Sequence, residues 1–279
     1  MKIVVFDLDE TLGYFTQLGI FWDILKKYLK NKNIHLTQND FNDLLDLYPE
    51  FLRPNIINIL NYLKEQKKNK CCHKMMIYTN NNGPKEWANH IIRYFETKLD
   101  FNLVDQIIGA FKVNGKIIEI CRTCNKKTHN DFIRCSKIPA NSEICFLDDT
   151  FYPEMANENI YYINIKPYYY DLKFDYMINK FKQSNIGKKL LNNTINYDED
   201  YNDKDNDIFE KTMMENIKLY KYFYINKDLR EYEIDKVLGK HIINHLKDFF
   251  NKKRKNKTFK NRKNNTNTNN NKSRKNLFF

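Results

Sequence analysis

Ile3-Val-Val-Phe6 runs directly into Asp7-Leu-Asp9. A β-branched and aromatic run of this length reads as a buried strand, so the two acids stand at a strand's carboxyl end. The arrangement recurs twice. Lys74-Met-Met-Ile-Tyr78 leads into the polar loop Thr79-Asn-Asn-Asn-Gly-Pro84, and Glu143-Ile-Cys-Phe-Leu147 leads into Asp148-Asp149. Between these runs, apolar residues fall at helical spacing: Phe21, Ile24, Leu25 and Leu29; Ile56, Ile57, Leu60 and Leu63; Trp87, Ile91, Tyr94 and Phe95. Strands alternating with amphipathic helices predict an α/β fold, a mainly parallel sheet flanked by helices. In such sheets, sites form in the crevice beyond the carboxyl ends of the strands.

Local signals fill in the rest. Thr37 reads as the N-cap of a helix reaching Leu47, with Asp40 as its capping partner. Pro54 suits the first turn of the next helix. Val104 to Phe111 and Lys116 to Ile120 read as strands around a hairpin turn at Asn114-Gly115. Asp131 to Cys135 reads as a helix and Ile160 to Ile163 as a strand. The division is a main domain over 1–185 with a small helical insertion at 14–50, an acidic polar linker over 186–207, a helical extension over 208–250, and a disordered basic tail over 251–279.

Charge belongs mostly to that tail. The net charge is +12, yet 251–279 holds eleven Lys or Arg and no acid, so what precedes it carries about +1. The tail alone is a candidate surface for nucleic acid or another acidic partner. Aromatics make up 15% of the chain and Gly and Pro number only 7 and 6, which excludes wholesale disorder and a turn-rich all-β fold. No apolar run approaches the roughly 18 residues of a membrane span. The six cysteines show no secreted-scaffold spacing. Together these features predict a soluble, intracellular protein with reduced thiols, cytoplasmic or nuclear.

The acids define the chemistry. A carboxylate can attack phosphorus to give an aspartyl-phosphate. A second carboxyl two residues on can protonate the leaving oxygen and then activate water. A dianionic phosphate would be repelled by clustered acids unless a cation such as Mg²⁺ stood among them. A lysine and a hydroxyl are then needed for the remaining phosphate oxygens.

Phe6-Asp7-Leu8-Asp9-Glu10-Thr11-Leu12 resembles the DxDxT signature of haloacid dehalogenase (HAD)-like superfamily phosphatases. Met76-Ile77-Tyr78-Thr79-Asn80 resembles their second motif and Cys145-Phe146-Leu147-Asp148-Asp149 their fourth. The resemblance covers about 1–180. It implies a Rossmann-like core of the HAD type with a small or absent cap. It also implies an Asp7 nucleophile, an Asp9 acid/base, phosphate held by Thr79, Asn80 and a third-motif lysine, and Mg²⁺ held by Asp7, Asp9 (through its carbonyl), Asp148 and Asp149. Lys127, just before a helix, is the choice for the lysine over Lys126, Lys112 and Lys137. An acid at position 9 points to phosphatases or phosphomutases rather than dehalogenases or transport ATPases. Phe51-Leu-Arg-Pro54 is similar to the branch acting on the RNA polymerase II C-terminal domain, though Gly13-Tyr14-Phe15 and the Asn-rich Thr79 loop depart from it. The chain also looks close to HAD-like proteins of large DNA viruses, which would make it a viral protein in its host cell. A small cap implies an open site suited to a phosphoprotein or a nucleic-acid end.

Two other readings compete. Cys121-x₂-Cys124-x₄-His129-x₅-Cys135 approaches a zinc-ligand spacing, but the same stretch is better read as holding the phosphate lysine and a helix. Alternatively, the fold could be a non-catalytic anchor whose basic tail engages nucleic acid or a phosphoprotein.

Overall fold

The computed structural model describes residues 1–192, 202–252 and 277–278. Its centre is a sheet of β1 (Lys2–Phe6), β2 (Lys74–Tyr78), β3 (Gln106–Ile108), β6 (Glu143–Asp148), β7 (Ile160–Asn164) and the two-residue β8 (Leu277–Phe278). The order is β3-β2-β1-β6-β7-β8, and every pairing is parallel. The fold is therefore α/β with a Rossmann-like parallel sheet, as the alternation predicts.

The strand interiors are apolar because both sheet faces are covered. Val4, Phe6, Met75, Ile77, Cys145 and Leu147 face one buried cluster. Their alternates Ile3, Val5, Met76, Tyr78, Ile144 and Phe146 face another. Each such residue, fully buried, contributes about 1.5–3 kcal/mol. The larger layer is built from α1 (Thr16–Lys30), α2 (Gln38–Leu47), α3 (Ile56–Lys68), α4 (Lys85–Leu99), α6 (Phe174–Gln183), α7 (Asn185–Asn192), α8 (Asn202–Leu219) and α9 (Leu229–Asn251). α5 (His129–Ser136) covers the opposite face through Phe132 and Cys135.

The Thr37–Asp40 capping box starts α2 as expected. Val104 to Phe111 is not one strand. β3 joins the main sheet, the chain leaves it at Gly109-Ala110, and β4 (Lys112–Val113) pairs with β5 (Lys116–Ile117) around the Asn114-Gly115 turn.

The proposed 186–207 linker is helical where it is described. Ile186, Leu190 and Leu191 of α7 are buried in the main core, so the start of the expected linker is an amphipathic helix. The 208–250 extension is helical, in α8 and α9, and packs on the main core. Phe209 packs edge-on against Tyr28, Ile242, Leu246 and Phe249 join the core, and the Lys227 ammonium meets Asp235 at 2.6 Å in the interior. Lys2 Nζ donates to the last carbonyls of α9, those of Phe249 and Phe250, each at 2.7 Å. A cation on free helix-end carbonyls is favourable. The basic tail beyond 252 lies outside the described residues, apart from β8.

Cys121 and Cys135 form a disulfide with their Cα atoms 5.1 Å apart. This departs from the expectation of thiols throughout. α5 carries Cys135 back over the strand-end loop that holds Cys121, a proximity that spacing alone does not reveal. The zinc set therefore does not assemble, and Cys124 Sγ turns instead to the carbonyl of Lys126 at 3.6 Å. Among the described residues, no helix is long and apolar enough to cross a membrane.

Candidate active site

Strand register brings the motifs together. Phe6 lies beside Ile77 on one side and Leu147 on the other. Asp7 therefore emerges next to Asp148, and Thr79 opens the loop one residue beyond β2. One oxygen from each of Asp7, Asp148 and Asp149 lies within 4.8 Å of the others.

Lys127 joins this group from the residue before the Thr128 cap of α5. Its Nζ donates to Asp7 Oδ1 and Asp148 Oδ2, each at 2.6 Å, with only 1% of the residue exposed. Burial alone would push the ammonium down, but the Asp7 and Asp148 charges outweigh it and raise it above its ordinary value. Burial, then Asp7, raises Asp149. Burial also raises Asp148, and the Asp7 charge adds to this against the pull of Lys127. One lysine thus leaves the cluster short of positive charge. An all-oxygen donor set with that deficit fits a hard divalent cation.

Asp9 stands apart from the three. Its Oδ2 accepts from Asn81 Nδ2 at 2.6 Å, and burial pushes its carboxyl up to about 7 although that hydrogen bond pulls it down. A carboxyl in this range can both give and take a proton near neutrality. Its side chain is not among the clustered carboxylates, so any metal contact from this residue falls to its main chain.

Thr79 is buried, and its Oγ1 accepts from the Asn81 N–H at 3.0 Å. Asn80, expected at the phosphate, is tied elsewhere. Its Oδ1 accepts from Arg122 Nη2 at 2.8 Å, and its Nδ2 donates to Tyr152 Oη at 3.0 Å. Asn81 is the loop amide that reaches the acids, and the Gly83 N–H holds its Oδ1 at 2.8 Å.

Three further residues shape the site without having been singled out for it. Thr11 Oγ1 donates to Asp149 Oδ1 and accepts from the Asp149 N–H, both at 3.2 Å. Arg122 is buried and donates to the carbonyls of Gly109 (2.7 Å), Thr79 (3.1 Å) and Asn125 (3.1 Å), locking the Thr79 loop to the Lys127 loop. Arg53 does the same for the loop carrying Asp9. Gly13 lies there against Phe51, whose carbonyl oxygen a Cβ would meet at 2.4 Å. Arg53 stood in a quoted motif and Thr11 in the signature, whereas Arg122, in the polar run Cys121-Arg-Thr-Cys-Asn125, carried no sequence signal for its role.

No family model, curated protein or solved structure matches this chain.

Proposed function

We propose that this protein is a Mg²⁺-dependent phosphomonoester hydrolase of the HAD type, working through an aspartyl-phosphate on Asp7. The observation that carries this reading is the Lys127 ammonium bridging Asp7 and Asp148 at 2.6 Å each, with Asp9 held separately by Asn81. Lys127 takes one oxygen of Asp7, and the other, to which no described residue donates, is left to attack phosphorus. Asp9 protonates the leaving oxygen, then takes a proton from the water that cleaves the aspartyl-phosphate. Thr79 and Lys127 hold the non-bridging oxygens. Asp7, Asp148, Asp149 and the Asp9 carbonyl are the groups that would hold Mg²⁺, which when bound offsets the negative charge of acids and phosphate.

The test is hydrolysis of a generic aryl phosphate by wild type and Asp7→Asn, with and without Mg²⁺. Turnover that needs Mg²⁺ and vanishes in the variant is expected. Equal turnover in the variant overturns the mechanism.

A further inference from the structure

Next to Asp9 lies a cavity of about 610 Å³, inside the usual range for small-ligand pockets. Asp9 and Asn81 are among the residues that line it. Ile20 and Trp22 of α1, Trp87 and His90 of α4, and Tyr220 just past α8 line the rest. The wall is built closely: a Cβ on Gly19 would stand 3.3 Å from Trp87 Cζ2, so α1 carries its glycine where the indole lies against it. Tyr220 Oη donates to Asp23, so the C-terminal segment helps shape the cavity. The space beside Asp9 is half open, walled by α1, α4 and Tyr220.

Position assigns its occupant. Whatever group Asp9 protonates must have its leaving oxygen at Asp9, so the rest of that leaving group extends into the adjoining space. The exposed Tyr220 ring and the half-buried His90, beside the buried indoles of Trp22 and Trp87, suit a flat ring, because ring faces stack and bury apolar area together. The volume exceeds what a single phenyl ring fills. Asp23, Lys26, Glu86 and His90 around the cavity offer donors and acceptors to a ring with a polar edge, and a phenyl ring has none. A heteroaromatic base joined to a sugar meets all three conditions.

We propose that the cavity is a nucleoside-binding leaving-group pocket, making the substrates nucleoside monophosphates; this rests on the hydrolase reading of the Asp7 site. In the reaction an Asp7 oxygen bonds to phosphorus as the bond from phosphorus to the ribose oxygen breaks, and Asp9 gives that oxygen its proton. Water then displaces phosphate from Asp7, and Asp9 regains a proton. Nucleoside and inorganic phosphate leave.

The experiment has two arms. The first compares kcat/KM for nucleoside 5′- and 3′-monophosphates, phosphotyrosine, glycerol phosphate and acetyl phosphate, in wild type and Ile20→Trp. At least one nucleotide should exceed glycerol phosphate and phosphotyrosine by about tenfold or more, the scale of one base–aromatic stack. Ile20→Trp, which fills the cavity, should lower the nucleotide rate relative to the acetyl phosphate rate by a similar factor. The second arm titrates adenosine and cytidine alone against intrinsic tryptophan fluorescence. The chain's 2 tryptophans, Trp22 and Trp87, both line this cavity, so saturable quenching in the wild type is expected. Hydrolysis of acetyl phosphate with no nucleotide preference and no quenching overturns the pocket and leaves the hydrolase standing. Quenching without hydrolysis of any phosphate overturns the hydrolase and leaves the pocket standing. A preference for phosphotyrosine overturns the nucleoside assignment.

Discussion

Arg53 Nε donates to the main-chain carbonyl of Thr11 at 2.7 Å. The same guanidinium reaches the carbonyls of Glu10 and, at 2.8 Å, Lys166. It therefore ties the turn after β1, where Glu10 sits at a positive φ of 57°, to the segment after β7. A left-handed non-glycine residue is costly unless its surroundings hold it, and Arg53 supplies the hold. Arg53→Met should lower the unfolding free energy read from urea denaturation by roughly 1.5–3 kcal/mol, because several buried carbonyls lose a charged donor. Arg53→Lys should restore little of it, since one ammonium cannot span the same fork.

The adjacent amides Asn80 and Asn81 should separate cleanly. Asn81→Ala frees Asp9 from its donor and should cut kcat by about tenfold to hundredfold, a fraction of what general acid catalysis supplies, with the melting temperature nearly kept. Asn80→Ala breaks the Arg122–Tyr152 link and should cost stability more than rate. Steady-state kinetics and thermal melts on the two variants check this, and a reversed pattern would exchange their roles.

Lys127→Met leaves Asp7 and Asp148 buried without their shared cation. Stripping one partner from a buried ion pair costs about 3–5 kcal/mol, so chemical denaturation should show a loss on that scale. Lys127→Arg is too bulky for a fully buried slot and should also lose turnover.

Mg²⁺ should raise the melting temperature of the wild type and EDTA should reverse the gain. At a hundredfold excess over Kd the stabilisation is about 2.7 kcal/mol. Asp148→Asn should shrink the shift, whereas Asp9→Asn should largely keep it, because the Asp9 carboxylate stands outside the cluster. Calorimetric scans of the three proteins with and without the ion read this directly.

Unfolding without reductant should leave only Cys71, Cys72, Cys124 and Cys145 open to alkylation. The Cys121–Cys135 bridge closes a loop of sequence separation 14, for which chain entropy gives about 3 kcal/mol. Cys135→Ser should lower stability by about that much, and reductant should then have no further effect. Mass spectrometry of alkylated protein and denaturation curves test both halves.

How much of this was legible follows from the physics of each signal. β1, β2 and β6 announce themselves because strands covered on both faces need uninterrupted apolar runs. Parallel register then carries Asp7, Thr79 and Asp148 to one edge. Lys127 could be chosen because a helix begins immediately after it. The choice between Asn80 and Asn81 could not be made, since it depends on Arg122 taking one amide and the Gly83 N–H turning the other. The helix α7 was masked by its polar surroundings, and the cavity beside Asp9 arises from α1, α4 and Tyr220, whose proximity is tertiary.

The strand that aims Asp7 has Lys74 to Ile77 as neighbours on one side and Glu143 to Leu147 on the other. During synthesis at about 5–20 residues per second, its second neighbour follows it from the ribosome on the order of ten seconds later. Ile3-Val-Val-Phe6 spends that interval as an apolar strand with at least one edge unpaired, the state that invites association with other chains. Non-local pairing of this kind also slows folding once the chain is complete. Of the described strands, the one that points the nucleophile is the earliest in the chain, yet its second edge is covered only by a strand about 140 residues further on.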